Sequence, residues 1–422
     1  MMSRQPMIGR GGDPVRRFIL RILARLEREA GRAAQSVLRE VLDAPDARGL
    51  DDRDRGFITE CAYGVLRWRL RLDAILSRFV SRGLPEDPEV LNVLRLGVLQ
   101  LLILDKVPPH AAVHESVELA KAVRGESLAR FVNGVLRNIE RNRETTATPR
   151  DLAERWAHPA WLVVRWAREM GDPVALEARL EANMRPPPVT LRLNPRTATL
   201  SVPGGRPSGV PGVIIAEGDT GDIRAGTARG DWVPQDAASA RVVRMLDVQP
   251  GDHVLELCAG RGVKSSQIAE TLGSGRLVSL DLSAAKLASA ARLGRRWAPG
   301  VEVRFAAADA SVALPFDPET RFDRILVDAP CTGLGVIRRR PETLWRRQPG
   351  DIVTLAALQA KILAEAFRWL RPGGTLVYAV CTTTAEETEA IVAPYRVLER
   401  VVTSPERDEM DGFFIASLRG ST

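Results

Sequence analysis

Two cysteines, Cys331 and Cys381, are the residues of this 422-residue sequence whose type and placement best suit covalent chemistry. Each lies at the end of an apolar run, RFDRILVDAP before Cys331 and GTLVYAV before Cys381, and Asp328 stands three residues ahead of the first thiol. A thiolate can add to an electron-poor ring, a second group can help to release the product, and a nearby carboxyl can hold the ring by its polar edge. The other thiols lack this setting. Cys61 falls in a helical region and is expected to be buried and inert, and Cys258, in a strand-to-helix turn, is either a small packed residue or part of a ligand loop. With no C-x-x-C spacing, neither a disulfide framework nor a zinc site is expected, and the thiols should be reduced. The histidines His110, His114, His158 and His253 suggest no metal cluster either.

A second group of residues suits a nucleotide cofactor. The turn Cys258-Ala259-Gly260-Arg261-Gly262-Val263-Lys264 joins a predicted strand to a predicted helix, and its glycines let backbone approach a ligand closely. It lacks both G-x-G-x-x-G and a Gly-Lys-Ser/Thr ending, so a carboxylate-bearing ligand at the helix N-terminus is expected before a pyrophosphate. Asp281, at the next strand end, is placed to accept hydrogen bonds from ribose hydroxyls, and Asp309, after the third strand, to accept one from an adenine amine. Together with two thiols, these residues suit methylation of cytosine at carbon 5. That carbon is a poor nucleophile until a thiolate adds at carbon 6, and its proton must leave before the thiolate is expelled.

The elements that must position these groups follow from periodicity. From about Pro14 to Glu140 apolar residues recur at three- and four-residue steps, which predicts a bundle of five to seven short helices broken at DAPDARGLDDRD, GLPEDPE and KVPPH. RNRETTATPRD then reads as a linker. Short strands and turns are expected around PPPVTLRLNPRT. From Gly251 the pattern becomes HVLELC, RLVSLD, VEVRFAAAD, RFDRILVDAP and GTLVYAVC, each followed by a turn or a helix-compatible stretch. Such runs predict a parallel sheet covered on both faces, with ligands outside the carboxyl ends of its strands. The implied division is residues 1–145, 146–235 and 236–422.

The formal charge of +7 makes an acidic partner plausible, although only five of the 60 basic residues are lysines. Arg338, Arg339, Arg340, Arg346 and Arg347, just after Cys331, are expected to grip phosphates of a bound strand. No stretch approaches the roughly 18 apolar residues a membrane span needs, and the start has no apolar signal core, so a cytoplasmic protein is expected.

At these residues the sequence resembles the RNA cytosine-5 methyltransferases of the RsmB/NOP family, in the form that carries a NusB-like N-terminal domain and acts on 16S ribosomal RNA. The resemblance rests on RFVNGVLRNIE, PAWLVVRW, VTLRLNPRT, GDWVPQDAASA and DGFFIASL, and most specifically on DAPCTGLGVIRRRPETLW and GGTLVYAVCTTTAEETE. It implies a multidomain chain: an all-α NusB-like helical bundle that binds RNA, a small α/β connecting subdomain and a Rossmann-like (class I) α/β methyltransferase domain. It further implies Cys381 as nucleophile, Cys331 as the thiol that aids product release, and Asp328 as the residue that holds the base and borders the cofactor. S-adenosyl-L-methionine would lie on Cys258 to Lys264, Asp281 and Asp309. The partner implied is 16S ribosomal RNA before full subunit assembly, with cytosine 967 the usual target, and the chain is expected to act as a monomer without a membrane. The family's first motif usually reads Cys-Ala-Ala-Pro-Gly-Gly-Lys, whereas Gly260, Arg261 and Val263 stand here for Ala, Pro and Gly. Thr382 follows the second cysteine where the family has Ser. Other readings of these residues are a methyltransferase of another RNA, a DNA cytosine enzyme with Cys331 as nucleophile, and a non-catalytic RNA-binding module.

Overall fold

Apolar spacing and capping residues account for the first part of the chain. In α1 (Pro14–Arg28), Ile19, Leu20, Ile22, Leu23 and Leu26 are buried, and the side chain of Asp13 accepts from Val15 N at the N-terminus. α2 (Ala34–Leu42), α3 (Asp52–Phe79), α4 (Pro88–Leu102), α5 (Pro109–Arg124) and α6 (Glu126–Arg141) follow. Proline begins α1, α4 and α5, where its missing N–H leaves nothing unsatisfied, and Asp51 with Asp54 forms a reciprocal cap on α3. These helices surround one core that includes Leu72, Val93, Leu96, Leu99 and Leu136. α3, at 28 residues, is longer than the short helices expected.

The computed structural model describes residues 13–419 except 30, 198–201, 203, 219 and 299. It divides into two compact units, one of residues 1–185 with 337–346 and one of 186–336 with 347–422. The first compact unit reaches residue 185 and so takes in the segment that follows residue 145 as well as the helices before it. The reason is local: Arg71 donates to the Arg155 carbonyl and Arg78 pairs with Glu154, so the segment read as a linker leads into helices tied back to α3. This unit also takes in ten residues from the far side of Cys331. Ala34 N donates to the buried Glu342 carboxylate, Arg67 donates to the Arg338 carbonyl, and the Arg69 guanidinium lies over the Trp345 ring.

The second unit begins with a small antiparallel sheet of β1 (Val189–Leu193), β2 (Gly205–Pro207), β3 (Val213–Ala216) and β4 (Trp232–Pro234), in the order β2-β3-β1-β4. Arg192 of β1 is buried, donating to Gln235 at 2.6 Å and to Ser266 at 2.7 Å. The larger sheet contains β5 (His253–Leu257), β6 (Arg276–Asp281), β7 (Glu302–Ala307), β8 (Phe322–Asp328), β9 (Leu370–Val380), β10 (Arg396–Thr403) and β11 (Phe413–Arg419). Its order is β10-β11-β9-β8-β5-β6-β7. The five strands expected from the sequence run parallel, and β11 and β10 extend the sheet antiparallel from β9. Alternate residues feed two cores: Leu255, Leu257, Leu376, Tyr378 and Val380 on one face, Val254, Leu277, Val377 and Ala379 on the other. Among the described residues no helix is long and apolar enough to cross a membrane.

Candidate active site

Parallel pairing of β8 with β9 brings the two thiols together. Asp328 of β8 lies opposite Ala379 of β9, and beyond these ends Cys331 Sγ stands 3.3 Å from Cys381 Sγ, within hydrogen-bonding distance. The loops that carry them are fixed by backbone contacts: Ala329 N donates to the Ala379 carbonyl, and Gly335 N donates to the Cys381 carbonyl. Gly335 has to be glycine, since an added Cβ would sit 1.9 Å from the Gly412 carbonyl oxygen. The neighbouring sulfur, burial and the charge of Glu387 all push the Cys331 thiol well above its ordinary pKa, so Cys331 keeps its proton at neutral pH.

Asp328, the last residue of β8, accepts from Lys264 Nζ at 2.7 Å. Burial, the largest single influence, would lower the Lys264 pKa, but the Asp328 carboxylate together with Cys381 and Glu256 outweighs it and holds the ammonium above its usual range. Lys264 also lies over the Phe413 ring, 5.6 Å from its centre. Thus the strand ends of β8, β9 and β11 converge on one carboxylate, one cation and two thiols.

The first-strand turn has the backbone that a ligand-binding loop needs. Cys258, Gly260 and Gly262 have φ of 62°, 60° and 81°, in the left-handed region. A Cβ at Gly262 would lie 2.5 Å from Ala290 Cβ, so the close approach excludes any side chain there. Val263, which stands where the family has glycine, is the first residue of the helix Val263–Leu272 and is not among the residues of positive φ. The substitution therefore falls where valine is tolerated. Ala259 N donates to the Leu280 carbonyl, and Asp281 Oδ2 accepts from Gly260 N at 2.9 Å, tying the loop to the end of β6. Asp309, beyond β7, is exposed, and its Oδ1 accepts from both the amide and the hydroxyl of Ser311. Left-handed turn, uncapped helix start and the Asp281 carboxylate fit an amino-acid carboxylate and a ribose diol, the two polar parts of S-adenosylmethionine.

Cys258 is half-buried and its thiol is pushed up to about 12 by burial, with Asp328 adding to the effect; Cys61 is fully buried and raised likewise. Both thiols are inert at neutral pH. Among the described residues no cluster could hold a metal ion.

Of the arginines after Cys331, Arg338, Arg346 and Arg347 are engaged by the protein itself, whereas Arg340 is exposed. Arg338 is buried, Arg346 donates to the carbonyls of Arg32 and Leu26, and Arg340 lies 3.6 Å from Glu342. Arg347 donates to the carbonyls of Thr332 and Cys331 and so braces the thiol loop. A guanidinium carries five donors and satisfies loop carbonyls as readily as phosphates, which charge counting does not reveal. Two buried acids also escaped the sequence reading. Glu256, inside β5, accepts from the hydroxyls of Ser265 and Ser279, and burial raises its carboxyl to about 7. Glu387 is fully buried next to Thr332, although in sequence it is one of several acids in TTAEETE.

Comparison with known proteins agrees with this architecture. Residues 243–400 match the family model "16S rRNA methyltransferase RsmB/F", residues 13–141 match the NusB family, and residues 158–201 match the ferredoxin-like domain of RsmF/B-like methyltransferases. The chain is similar to the probable ribosomal RNA small subunit methyltransferase B of Bacillus subtilis, at 34% identity over 96% of this chain and 98% of that protein. It is also similar to the ribosomal RNA small subunit methyltransferase B of Salmonella arizonae, at 32% identity over 92% of this chain and 95% of that protein. The crystal structure of PH0851 shares the fold, with a TM-score of 0.79 and 23% identity over 96% of this chain and 99% of that one. The helical NusB-type domain, the ferredoxin-like piece and the mostly parallel methyltransferase sheet thus occur together over nearly the full length, and the chain belongs to the 16S rRNA methyltransferase RsmB/F family, with S-adenosylmethionine as its methyl donor.

Proposed function

We propose that this protein methylates carbon 5 of a cytosine in 16S ribosomal RNA through a covalent bond between Cys381 and carbon 6 of the base. The observation that carries this reading is the 3.3 Å separation of Cys331 Sγ and Cys381 Sγ, beside the Asp328 carboxylate at the preceding strand end. The names of the relatives, which act on the small ribosomal subunit RNA, support the substrate class.

Bound donor supplies an electrophilic methyl group, held by the turn from Cys258 to Lys264, by Asp281 and Asp309, and bordered by Asp328. The target base leaves its stack to enter the site. Thiolate at Cys381 adds to carbon 6, and carbon 5 becomes electron-rich enough to take the methyl group. Asp328 accepts from the exocyclic amine and, through a proton shared with the ring nitrogen, stabilises the negative charge that builds there during the addition. Loss of the carbon 5 proton to a base then restores the double bond and expels the Cys381 sulfur. Cys331, with its proton retained, donates to the departing sulfur across 3.3 Å.

The test is the pair of cysteine variants. Cys381→Ala is expected to abolish methyl transfer, while Cys331→Ala is expected to accumulate a protein–RNA adduct that survives denaturation. Full activity in Cys381→Ala would remove the mechanism, and capture that depends on Cys331 instead would favour the arrangement of DNA cytosine enzymes. Mapping 5-methylcytosine in ribosomal RNA from cells with and without the protein tests the substrate.

A further inference from the structure

The two thiols sit on separate loops, one after β8 and one after β9, and the structure shows what joins them. Glu387 lies six residues beyond Cys381 in the sequence and has no exposed surface. One of its oxygens accepts from Thr332 N at 2.8 Å and from Gln359 Nε2 at 3.0 Å. The other accepts from the Thr332 hydroxyl at 2.5 Å and the Thr384 hydroxyl at 2.8 Å. Thr332 follows Cys331 directly, and its hydroxyl also stands 3.1 Å from that of Thr382, the residue after Cys381. Gln359 donates to the Pro330 carbonyl as well, and Tyr378 donates to Gln359 and to the Glu387 carbonyl. One buried carboxylate therefore holds both thiol loops. Its four donors are an amide N–H, a side-chain amide and two hydroxyls, none of them a cation, so no full opposite charge among them cancels its own.

We propose that Glu387 is the positioning residue of the two-thiol site: its carboxylate clasps the two cysteine loops into register, and its charge, set on the Cys331 side of the pair, favours Cys381 as the thiol that ionises. The charged groups around the pair are arranged accordingly. Glu387 acts on Cys331, whereas the Lys264 ammonium, paired with Asp328, acts on Cys381 and on the buried Glu256. Tyr378, near Cys331, is raised by burial and stays neutral, and Arg347 binds the Cys331 and Thr332 carbonyls with its guanidinium. The Cys381 proton leaves for solvent, and Cys331 Sγ–H donates to the resulting thiolate. Two sulfurs at 3.3 Å do not both ionise readily, so a modest charge asymmetry selects one. This assignment rests on Cys381 being the nucleophile.

The test is alkylation of the full-length protein by iodoacetamide without RNA, with initial rates read at each cysteine by mass spectrometry across a pH series. Wild type is expected to react first at Cys381, with Cys331 lagging. Glu387→Gln keeps the shape of the clasp, since its oxygen can accept from Thr332 N and its amide can donate to the two hydroxyl oxygens. It is expected to retain its melting temperature within a few degrees and to raise the Cys331 rate near pH 8 measurably above wild type, because a raised thiol pKa limits that rate and the variant removes one of its causes. The same variant should lower kcat for methyl transfer while leaving KM for RNA near wild type. An unchanged Cys331 rate in a folded Glu387→Gln protein would overturn the proposal, as would Cys331 reacting ahead of Cys381 in wild type, a result that needs no variant. Glu387→Asp, which keeps the charge, should leave Cys331 slow; a fast Cys331 there would also overturn it. Failure of the underlying reading shows elsewhere, as methyl transfer that persists in Cys381→Ala.

Discussion

Glu256 illustrates how a single buried acid links pH to stability. It is fully buried, and one of its oxygens has no hydrogen-bond partner in the structure, which suits a protonated carboxyl better than a carboxylate. Its pKa rises from 4.5 to about 7 on folding. The unfolded chain thus releases this proton first as pH rises, and folding loses stability between those two values and no further above them. From about pH 5 to about pH 8 this group should remove on the order of 3 kcal/mol of unfolding free energy. Glu256→Gln should not show that loss, and urea unfolding at the two pH values measures it. An equal fall in both proteins would mean that the carboxyl is charged when buried. Residues of this kind were hard to read from sequence because HVLELC looks the same whether its acid faces a core or a ligand. Cys331, Cys381, Asp328 and Asp281 were more legible, because each stands at the end of an apolar run, where parallel sheets expose their chemistry.

Among the elements, the loop from Gly333 to Val336 is pinned by backbone contacts on both sides. Gly335 N donates to the Cys381 carbonyl, and Gly412 N donates back to the Gly335 carbonyl at 2.8 Å. Gly335→Ala would drive a methyl group into Gly412 and separate these strands of chain. It is expected to cost about 1–3 kcal/mol of stability and to reduce methyl transfer more than Tm alone explains. Gly134→Ala is the matched contrast. It lies in α6 with nothing within 4 Å of the added carbon, so it should stabilise by about 0.5–1 kcal/mol. Thermal melts of the two variants beside methyl-transfer rates check both statements, and a neutral Gly335→Ala would refute the first. The five parallel strands were legible from continuous apolar runs flanked by glycine and proline. β10 was not, since most of RVLERVVT is exposed and it pairs only at the antiparallel edge of the sheet.

At the scale of the whole molecule, the helical unit is assembled from two separate stretches of chain. Residues 337–346 supply it with Glu342, which accepts from Ala34 N, with Trp345 beneath Arg69, and with Arg346, which holds the Arg32 and Leu26 carbonyls. No local pattern marks such a segment, because its allegiance depends on partners some 300 positions earlier in the sequence. A fragment ending at Arg185 lacks these contacts, and Ala34 N loses a buried acceptor worth about 1–3 kcal/mol. Hydrogen exchange across Ala34–Leu42 should therefore be faster in that fragment than in the intact chain. Equal protection would mean that the segment contributes nothing to the helices. The arrangement also bears on how the protein is born. A ribosome delivers the last piece of the amino-terminal unit roughly 150 residues after the rest of it, once β8 has already emerged. The nascent amino-terminal helices thus gain their last contacts only when translation reaches this distant segment.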